Sequence, residues 1–249
     1  MELLPEFNSL TSDYILTEGH VHSTWTDGTN TLAELAEEAE QIGLKRLFFT
    51  EHIRSMSTYY EDYLKEVARI AKSSKIKIQV GFESKIADYQ GSLDIPDIAA
   101  AKADIIIGTV HSVPTKDGLK HPKTMERGDL EKAEYELATS MLNARTADVL
   151  GHAGGMSLSI FGKFDFDLLE KLIAKCAETG VAFEINSRYH AQILDWLWNK
   201  LEHYNPKISL ASDAHSLKEI GNCSKMILKK QLFPQCSPCG DRWSVIGNR

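Results

Sequence analysis

The chain has 249 residues, a formal net charge of −7, 43% hydrophobic residues and 25% charged residues. This length suits a single α/β barrel, and the composition is that of an ordinary globular protein rather than a disordered or fibrous one. The acidic charge argues against a protein that mainly binds the nucleic-acid backbone, because that function needs a basic surface.

No apolar run reaches the length of a membrane span, so the sequence predicts no membrane partner. The first residues, MELLPEFNSLTSDY, lack the basic and apolar regions of a signal peptide, and we expect a cytoplasmic protein. Four cysteines in a chain of this length do not indicate a disulfide framework. Cys236 and Cys239 form a CxxC pair without a second pair nearby, and we interpret them as incidental thiols.

Apolar runs alternate with stretches of helical length, a pattern typical of repeated βα units. Seven strands are predicted, at residues 14–20, 46–52, 76–83, 103–111, 147–153, 181–186 and 207–213. Because the composition does not change along the chain, one closed or nearly closed barrel is favoured over two domains. The barrel domain is expected over residues 1–230, followed by a C-terminal tail at 231–249.

Two of the predicted helices have clear boundaries. One begins after Thr31, which forms a capping box with Glu34, and ends at Gly43. The other covers residues 166–180 and ends at Gly180. Its apolar face consists of Leu168, Leu169, Leu172, Ile173 and Cys176.

Histidines and carboxylates follow the predicted strands. The segment HVHSTWTDG (20–28) places His20 and His22 two residues apart, so that both point to one face if the strand continues, and Asp27 follows. The other candidates at strand ends are His52, Glu83, His111, His152, Asp213 and His215. The carboxyl ends of barrel strands meet at one rim, where so many polar groups would be costly unless a cation satisfied them.

The sequence therefore predicts a shared metal centre. Imidazole and carboxylate ligands suit zinc, manganese or iron, and they offer too little oxygen for calcium. Nine ligands exceed one tetrahedral site, so we expect two or three divalent ions, with Glu83 as a bridge near the middle of the rim.

These segments also resemble a known family. HVHSTWTDG, TEH (50–52), GFE (81–83), GTVHS (108–112), GHAG (151–154) and SDAH (212–215) are similar to the successive motifs of the PHP (polymerase and histidinol phosphatase) family. The resemblance covers about residues 15–230. It implies a distorted (β/α)7 TIM-like barrel in a single domain that binds two or three metal ions.

The resemblance also implies a ligand set for each ion. One ion would bind His20, His22, Glu83 and Asp213, a second Glu83, His111 and His152, and a third Asp27, His52 and His215. Some histidinol phosphatases of the family have a histidine at the position of Asp27. The third set is therefore the one whose ligand types differ among members of the family.

The predicted function is hydrolysis of a small phosphomonoester by a metal-bound hydroxide, with histidinol phosphate as the leading substrate. Asp213 or His215 would transfer the proton. Two alternatives stay open: a phosphodiesterase or exonuclease acting on nucleotides or single strands, and an inactive metal-binding accessory domain. Nucleic acid is the less favoured partner because the chain is acidic.

Basic residues near the rim are candidates for binding the substrate. Arg188 and His190 follow the sixth predicted strand, and Arg54 follows His52. Arginine suits phosphate because its planar guanidinium donates two parallel hydrogen bonds. The long polar loop at 113–128 is predicted to be either a solvated loop or a lid that brings Lys116, Lys120, His121 or Lys123 over a phosphate.

Overall fold

The computed structural model describes residues 2–230, and a parallel sheet organises this part of the chain. A short antiparallel hairpin, β5 (Val113–Thr115) and β6 (Gly118–Lys120), follows the fourth strand of this sheet. The sheet itself consists of β1 (Thr17–Glu18), β2 (Arg46–Ile53), β3 (Lys77–Lys85), β4 (Ile105–Thr109), β7 (Val149–Leu150), β8 (Ala182–Asn186) and β9 (Ile208–Ala211). Its strand order is β1-β2-β3-β4-β7-β8-β9, and every pairing is parallel.

The two edges of this sheet meet, so the barrel is nearly closed. The Gly19 amide donates to the Leu210 carbonyl at 2.7 Å, and Val21 forms a parallel bridge with Ala214. A Cβ atom at Gly19 would lie 2.6 Å from the hydroxyl oxygen of Ser209. Glycine therefore permits the close approach of the first and last strands. The prediction of a single seven-stranded α/β barrel is confirmed.

Helices connect the strands. They are α1 (Ser12–Ile15), α2 (Leu32–Gln41), α3 (Tyr60–Ser73), α4 (Asp97–Ala100), α5 (Arg127–Ala144), α6 (Gly155–Phe161), α7 (Phe166–Thr179), α8 (Ser187–His190), α9 (Leu194–Tyr204) and α10 (Asn222–Lys229). The predicted capping box of Thr31 and Glu34 begins α2. Gly180 ends α7 with a φ of +76°, a conformation that glycine adopts without strain. The predicted apolar face of α7 is buried except for Leu168, which is half-buried.

The first predicted strand was too long. Tyr14 and Ile15 belong to α1, and β1 contains only Thr17–Glu18. The Thr11 hydroxyl accepts a hydrogen bond from the Tyr14 amide at 3.2 Å and caps this helical turn. The Tyr14 hydroxyl in turn donates to the Ile208 carbonyl at 2.8 Å. The apolar side chains that resembled a strand are therefore buried against the amino end of β9.

Side-chain alternation along the strands divides the core into two parts. Leu47 and Phe49 of β2 belong to the main apolar cluster, which includes the buried residues of α2 and α7. Phe48 belongs to a second cluster with Ile105, Ile107, Val149 and Ala182. Because successive strand residues point to opposite faces, this second cluster fills the inside of the barrel. Residues that share its parity further along the strands face the carboxyl-end rim.

Two predictions concern residues outside the described part of the chain: the separate tail at 231–249 and the thiols Cys236 and Cys239. The remaining two cysteines, Cys176 and Cys223, are buried free thiols. Within residues 2–230, every helix is too short or too polar to cross a membrane.

Candidate metal centre

The nine predicted ligands lie close together at the carboxyl end of the barrel. His20, His22 and Asp27 follow β1, while Asp213 and His215 follow β9. The other ligands lie near the ends of the intervening strands, at His52, Glu83, His111 and His152. His52 and Glu83 are direct neighbours in the parallel register of β2 and β3. The fold thus brings residues from both ends of the sequence to one rim.

Glu83 lies at the middle of this group and directs its two oxygens to different histidines. Oε2 lies 2.7 Å from Nδ1 of His52 and 3.4 Å from Nε2 of His22. Oε1 lies 3.1 Å from Nε2 of His111 and 3.0 Å from Nε2 of His152. A carboxylate with ligand atoms on both sides has the geometry of a bridge between two cations.

The ligand atoms form three overlapping groups. Within each group they lie within 4.8 Å of one another: His22, Asp27, His52 and His215; His20, His22 and Asp213; and His52, Glu83 and His111. The groups differ from the sets implied by the family resemblance because His22 and His52 each belong to two of them. His152 reaches the centre through its contact with Glu83.

Unsatisfied polar atoms indicate that this arrangement suits cations. Nε2 of His20, both ring nitrogens of His22 and Oε2 of Glu83 are buried and make no hydrogen bond of acceptable geometry, although Oε2 lies 2.7 Å from Nδ1 of His52. Such atoms are rare in folded proteins because their burial costs free energy. Nε2 of His20 and Nε2 of His22 lie 3.5 and 3.4 Å from Oε2 of Glu83, so a cation between them would satisfy these three atoms. Imidazole and carboxylate ligands fit zinc, manganese or iron.

The pKa values of the ligands also indicate that the group suits cations. Burial lowers the pKa of His22 to about 4, which keeps its imidazole neutral with a free lone pair. Burial opposes the charging of His52 as well, but the carboxylates of Asp27 and Glu83 outweigh it and raise the pKa to about 10. Burial would raise the pKa of Glu83, yet His111 and His20 hold it well below its usual range. Bound cations would replace the histidine protons that balance these carboxylates.

Two of the ligands have an uncommon backbone conformation. His152 has a φ of +25° and Asp213 a φ of +52°, both in the left-handed region that favours glycine. Such residues cost about 1–3 kcal/mol each and are found where the surrounding structure fixes a functional group. The strain is consistent with ligands that the loops hold in place.

Buried carboxylates that the sequence analysis missed support the ligands. Nδ1 of His20 donates to Oε2 of Glu184 at 2.9 Å, which leaves Nε2 directed at the centre. Glu51 accepts hydrogen bonds from the amide and hydroxyl of Ser23, which follows His22. In β8, Glu184 alternates with its neighbours so that it points to the inside of the barrel, as Ala182 and Asn186 do. A charged residue within this otherwise apolar strand was the sequence feature that could have identified it.

The predicted substrate-binding residues have different surroundings. Arg188 lies beside the centre, where its Nη2 donates to the carbonyl of Asp213 and to Glu219, both at 2.8 Å. His190 is fully buried, with Nε2 3.1 Å from the Ala153 carbonyl and Nδ1 accepting from the Asn186 amide at 3.2 Å. Both ring nitrogens of His190 therefore have backbone partners, and the structure does not bring this side chain to the rim.

A cavity of about 690 Å³ opens over the exposed side of the centre. Four of the ligands line it: Asp27, His52, Glu83 and His111. The wall also includes Arg54, one of the predicted substrate-binding residues, and Leu119 and His121 from the long loop. This volume lies within the range of about 300–1,000 Å³ that is usual for small-molecule sites.

Comparison with known proteins identifies the family. A family model described as the PHP domain matches residues 18–188, which is more than half of the chain. The matched region contains seven of the nine ligands and lacks Asp213 and His215. The chain belongs to the PHP domain family.

Curated relatives include a probable phosphatase from Clostridium botulinum (strain Langeland), 27% identical over 225 residues, covering 86% of this chain and 82% of the relative. The DNA polymerase/3'-5' exonuclease PolX of Bacillus subtilis is 26% identical over 176 residues, covering 68% of this chain and 28% of that protein. Among solved structures, the fold resembles histidinol phosphate phosphatase from Lactococcus lactis, complexed with zinc, L-histidinol and phosphate. Its TM-score is 0.66 at 21% identity, covering 86% of this chain and 92% of that one.

Proposed function

We propose that this protein is a metal-dependent phosphoesterase that hydrolyses small phosphomonoesters. The observation that carries the proposal is the position of Glu83, whose two oxygens face separate groups of histidines at the base of a cavity. Probable phosphatases among the relatives support the same reaction class. Histidinol phosphate is the named substrate to test first, because the Lactococcus lactis enzyme was solved with L-histidinol and phosphate.

Two or three divalent ions of zinc, manganese or iron would bind the nine ligands. Bound there, they would lower the pKa of a water molecule and withdraw charge from the phosphoryl oxygens. The three groups of neighbouring atoms contain eight of these ligands, and His152 would join them through its contact with Glu83. Cytoplasmic location and the absence of a membrane partner stay predictions from the sequence.

In the proposed reaction, a water oxygen forms a new bond to phosphorus while the bond from phosphorus to the ester oxygen breaks. Products are inorganic phosphate and an alcohol, and the proton lost by the water ends on the alcohol. We assign the proton transfer to Asp213, because its Oδ2 faces Arg188 Nε at 3.5 Å while Oδ1 faces His22 at 3.3 Å. Arg188, which lies beside this carboxylate, would adjoin the phosphate.

His215 is better suited to be a ligand than a proton carrier. Its Nδ1 lies 2.9 Å from the Asp213 carbonyl and can donate to it, which leaves the lone pair of Nε2 directed at Asp27, 3.4 Å away. Metal-binding histidines commonly donate their second ring nitrogen to a backbone carbonyl in this way.

A phosphodiesterase or exonuclease is the second candidate, and the match to part of PolX favours it. An enzyme of that kind needs a basic groove along several phosphates, with aromatic residues for base stacking. The described cavity has Arg54, Lys85 and His121 as basic residues and a single aromatic ring at Tyr59 apart from histidines. An inactive accessory domain is less favoured because the nine candidate ligands converge at one rim, eight of them in groups of closely spaced ligand atoms.

The test compares kcat/KM for histidinol phosphate, p-nitrophenyl phosphate, bis-p-nitrophenyl phosphate and a short single-stranded oligonucleotide under one metal condition. We expect the monoesters to be hydrolysed faster, with little change between about 50 and 200 mM salt, where contacts to many phosphates would lose orders of magnitude in affinity. A tenfold preference for the diester or the oligonucleotide would replace this proposal with the nuclease.

A further inference from the structure

The cavity wall beyond the candidate ligands is basic. Three residues there are basic and bind no ion in the proposed centre: Arg54, Lys85 and His121. In the described part of the chain, the acidic residues that line this cavity are Asp27 and Glu83, and both are candidate ligands. The space left for the organic part of a substrate therefore faces cationic and neutral groups.

Arg54 is available to a ligand. Its side chain is exposed, and no carboxylate among residues 2–230 lies within ion-pair distance of its guanidinium. The backbone that carries it is fixed, since the Arg54 amide donates to the Ser57 hydroxyl at 3.0 Å. An unpaired guanidinium at a cavity wall is suited to bind a carboxylate or phosphate through two hydrogen bonds.

Lys85 lies two residues after Glu83 at the end of β3 and lines the same cavity. Its Nζ is 3.1 Å from Oδ2 of Asp94, so one ion pair orients the side chain. Oδ1 of Asp94 accepts hydrogen bonds from the amide and hydroxyl of Ser55, at 3.0 and 2.6 Å. One carboxylate therefore ties Lys85 to the residue next to Arg54, and it holds both basic residues on one wall.

We propose that the preferred substrate is a phosphomonoester with a second anionic group, a carboxylate or another phosphate, which Arg54 and Lys85 bind. The inference rests on the proposed phosphatase function and narrows its substrate class. Histidinol phosphate carries an ammonium group instead of a second anion, and the acidic residues that line the described cavity are the candidate metal ligands Asp27 and Glu83. The basic wall thus selects against a cationic substrate by charge.

The test uses substrates on one three-carbon skeleton: propyl phosphate, 3-aminopropyl phosphate, 3-(phosphonooxy)propanoate and propane-1,3-diyl bisphosphate. We expect the two substrates with a second anion to exceed propyl phosphate at least tenfold in kcat/KM, and the amino compound to fall below it. The carboxylate and bisphosphate arms identify which anion is preferred. Equal or better turnover of propyl or aminopropyl phosphate would overturn the inference and leave the phosphatase function intact.

Two variants locate the preference. In Arg54→Gln and Lys85→Gln we expect the ratio of kcat/KM between the bisphosphate and propyl phosphate to fall about tenfold. Lys72→Gln removes a charge from the exposed end of α3 and should keep the wild-type ratio. Thermal unfolding of Lys85→Gln shows whether the loss of the Asp94 pair affects the fold. An unchanged ratio in folded Arg54→Gln and Lys85→Gln would refute the assignment.

Binding without turnover separates this inference from the function on which it rests. Calorimetry compares propylphosphonate with propane-1,3-bisphosphonate on wild type and Arg54→Gln. Tighter binding of the bisphosphonate to wild type, reduced in the variant, supports the basic wall even if no monoester is hydrolysed. Equal affinities for the two phosphonates would contradict it.

Discussion

Nδ1 of His20 lies 2.9 Å from Oε2 of Glu184, and both side chains are fully buried. The other oxygen, Oε1, accepts hydrogen bonds from the His152 amide at 2.9 Å and from Asn186 Nδ2 at 2.7 Å. One carboxylate of β8 therefore fixes the orientation of ligands on two sides of the candidate metal centre. In metal sites, such partners set the tautomer of a histidine and raise its basicity.

Glu184→Gln is expected to reduce metal affinity by about 10- to 100-fold, the usual effect of losing such a partner. The amide keeps the size of the side chain but replaces one acceptor with a donor, so that His20, the His152 amide and Asn186 no longer all have partners. Competition with a chromogenic chelator measures the affinity. Glu136→Gln, at an exposed position on α5, is the matched control. Wild-type affinity in folded Glu184→Gln would contradict the orienting role.

Glu83→Gln is expected to lower metal content and phosphatase activity together, each by at least about tenfold. The substitution keeps the shape but removes the charge between two groups of histidines. The apolar clusters do not include Glu83, so we expect the circular dichroism spectrum to stay that of the barrel. Near wild-type turnover at equal metal content would exclude a bridging role.

Purified protein is expected to carry two or three transition-metal ions per chain. The three overlapping groups of ligand atoms are the reason, since they exceed what one tetrahedral ion can use. Elemental analysis after purification without chelators, with zinc, manganese and iron supplied in turn, gives the number and the preference. Fewer than one equivalent under every condition would count against the centre.

The buried His190 is expected to make the fold sensitive to acid. Burial lowers its pKa to about 4, whereas the unfolded chain has the ordinary value near 6.5. Above pH 6.5 both states are neutral at this residue and its full contribution to stability is present. As the pH falls towards 4, only the unfolded state takes up the proton, which costs about 3 kcal/mol of unfolding free energy.

Urea unfolding of metal-free wild type and His190→Gln between pH 4.5 and 7.5 tests this expectation. The difference in unfolding free energy between the two proteins should shrink or reverse as the pH falls, because glutamine does not titrate. His203→Gln removes an exposed histidine of α9 and should follow the wild-type curve. A difference that is constant with pH would show that His190 binds its proton equally well in the folded and unfolded states, contrary to this expectation.

Sequence alone predicted the barrel and all nine candidate ligands, for a local reason. Alternation of apolar runs with helical segments indicates parallel βα units. In a barrel of such units, the carboxyl ends of all the strands lie at one rim. His52 and Glu83 could therefore be expected near each other before their pairing in β2 and β3 was known. The capping box at Thr31 was predictable for the same reason, since the two residues that form it are three positions apart.

Tertiary structure decided the parts that depend on contacts between distant residues. Glu184 is 164 residues from His20, and only the pairing of the strands makes it a partner rather than one more glutamate in an apolar run. His190 carries the same side chain as the ligands, yet the turn into α8 directs it to the Ala153 carbonyl instead of the rim. Tyr14 lies in a helical turn instead of the predicted strand, because its amide donates to the Thr11 hydroxyl and its hydroxyl donates to the Ile208 carbonyl. Strand alternation fixes whether a side chain faces the inside or the outside of the barrel, and its position along the strand fixes how near it lies to the rim. Hydrogen-bond partners are set instead by packing across the closed sheet.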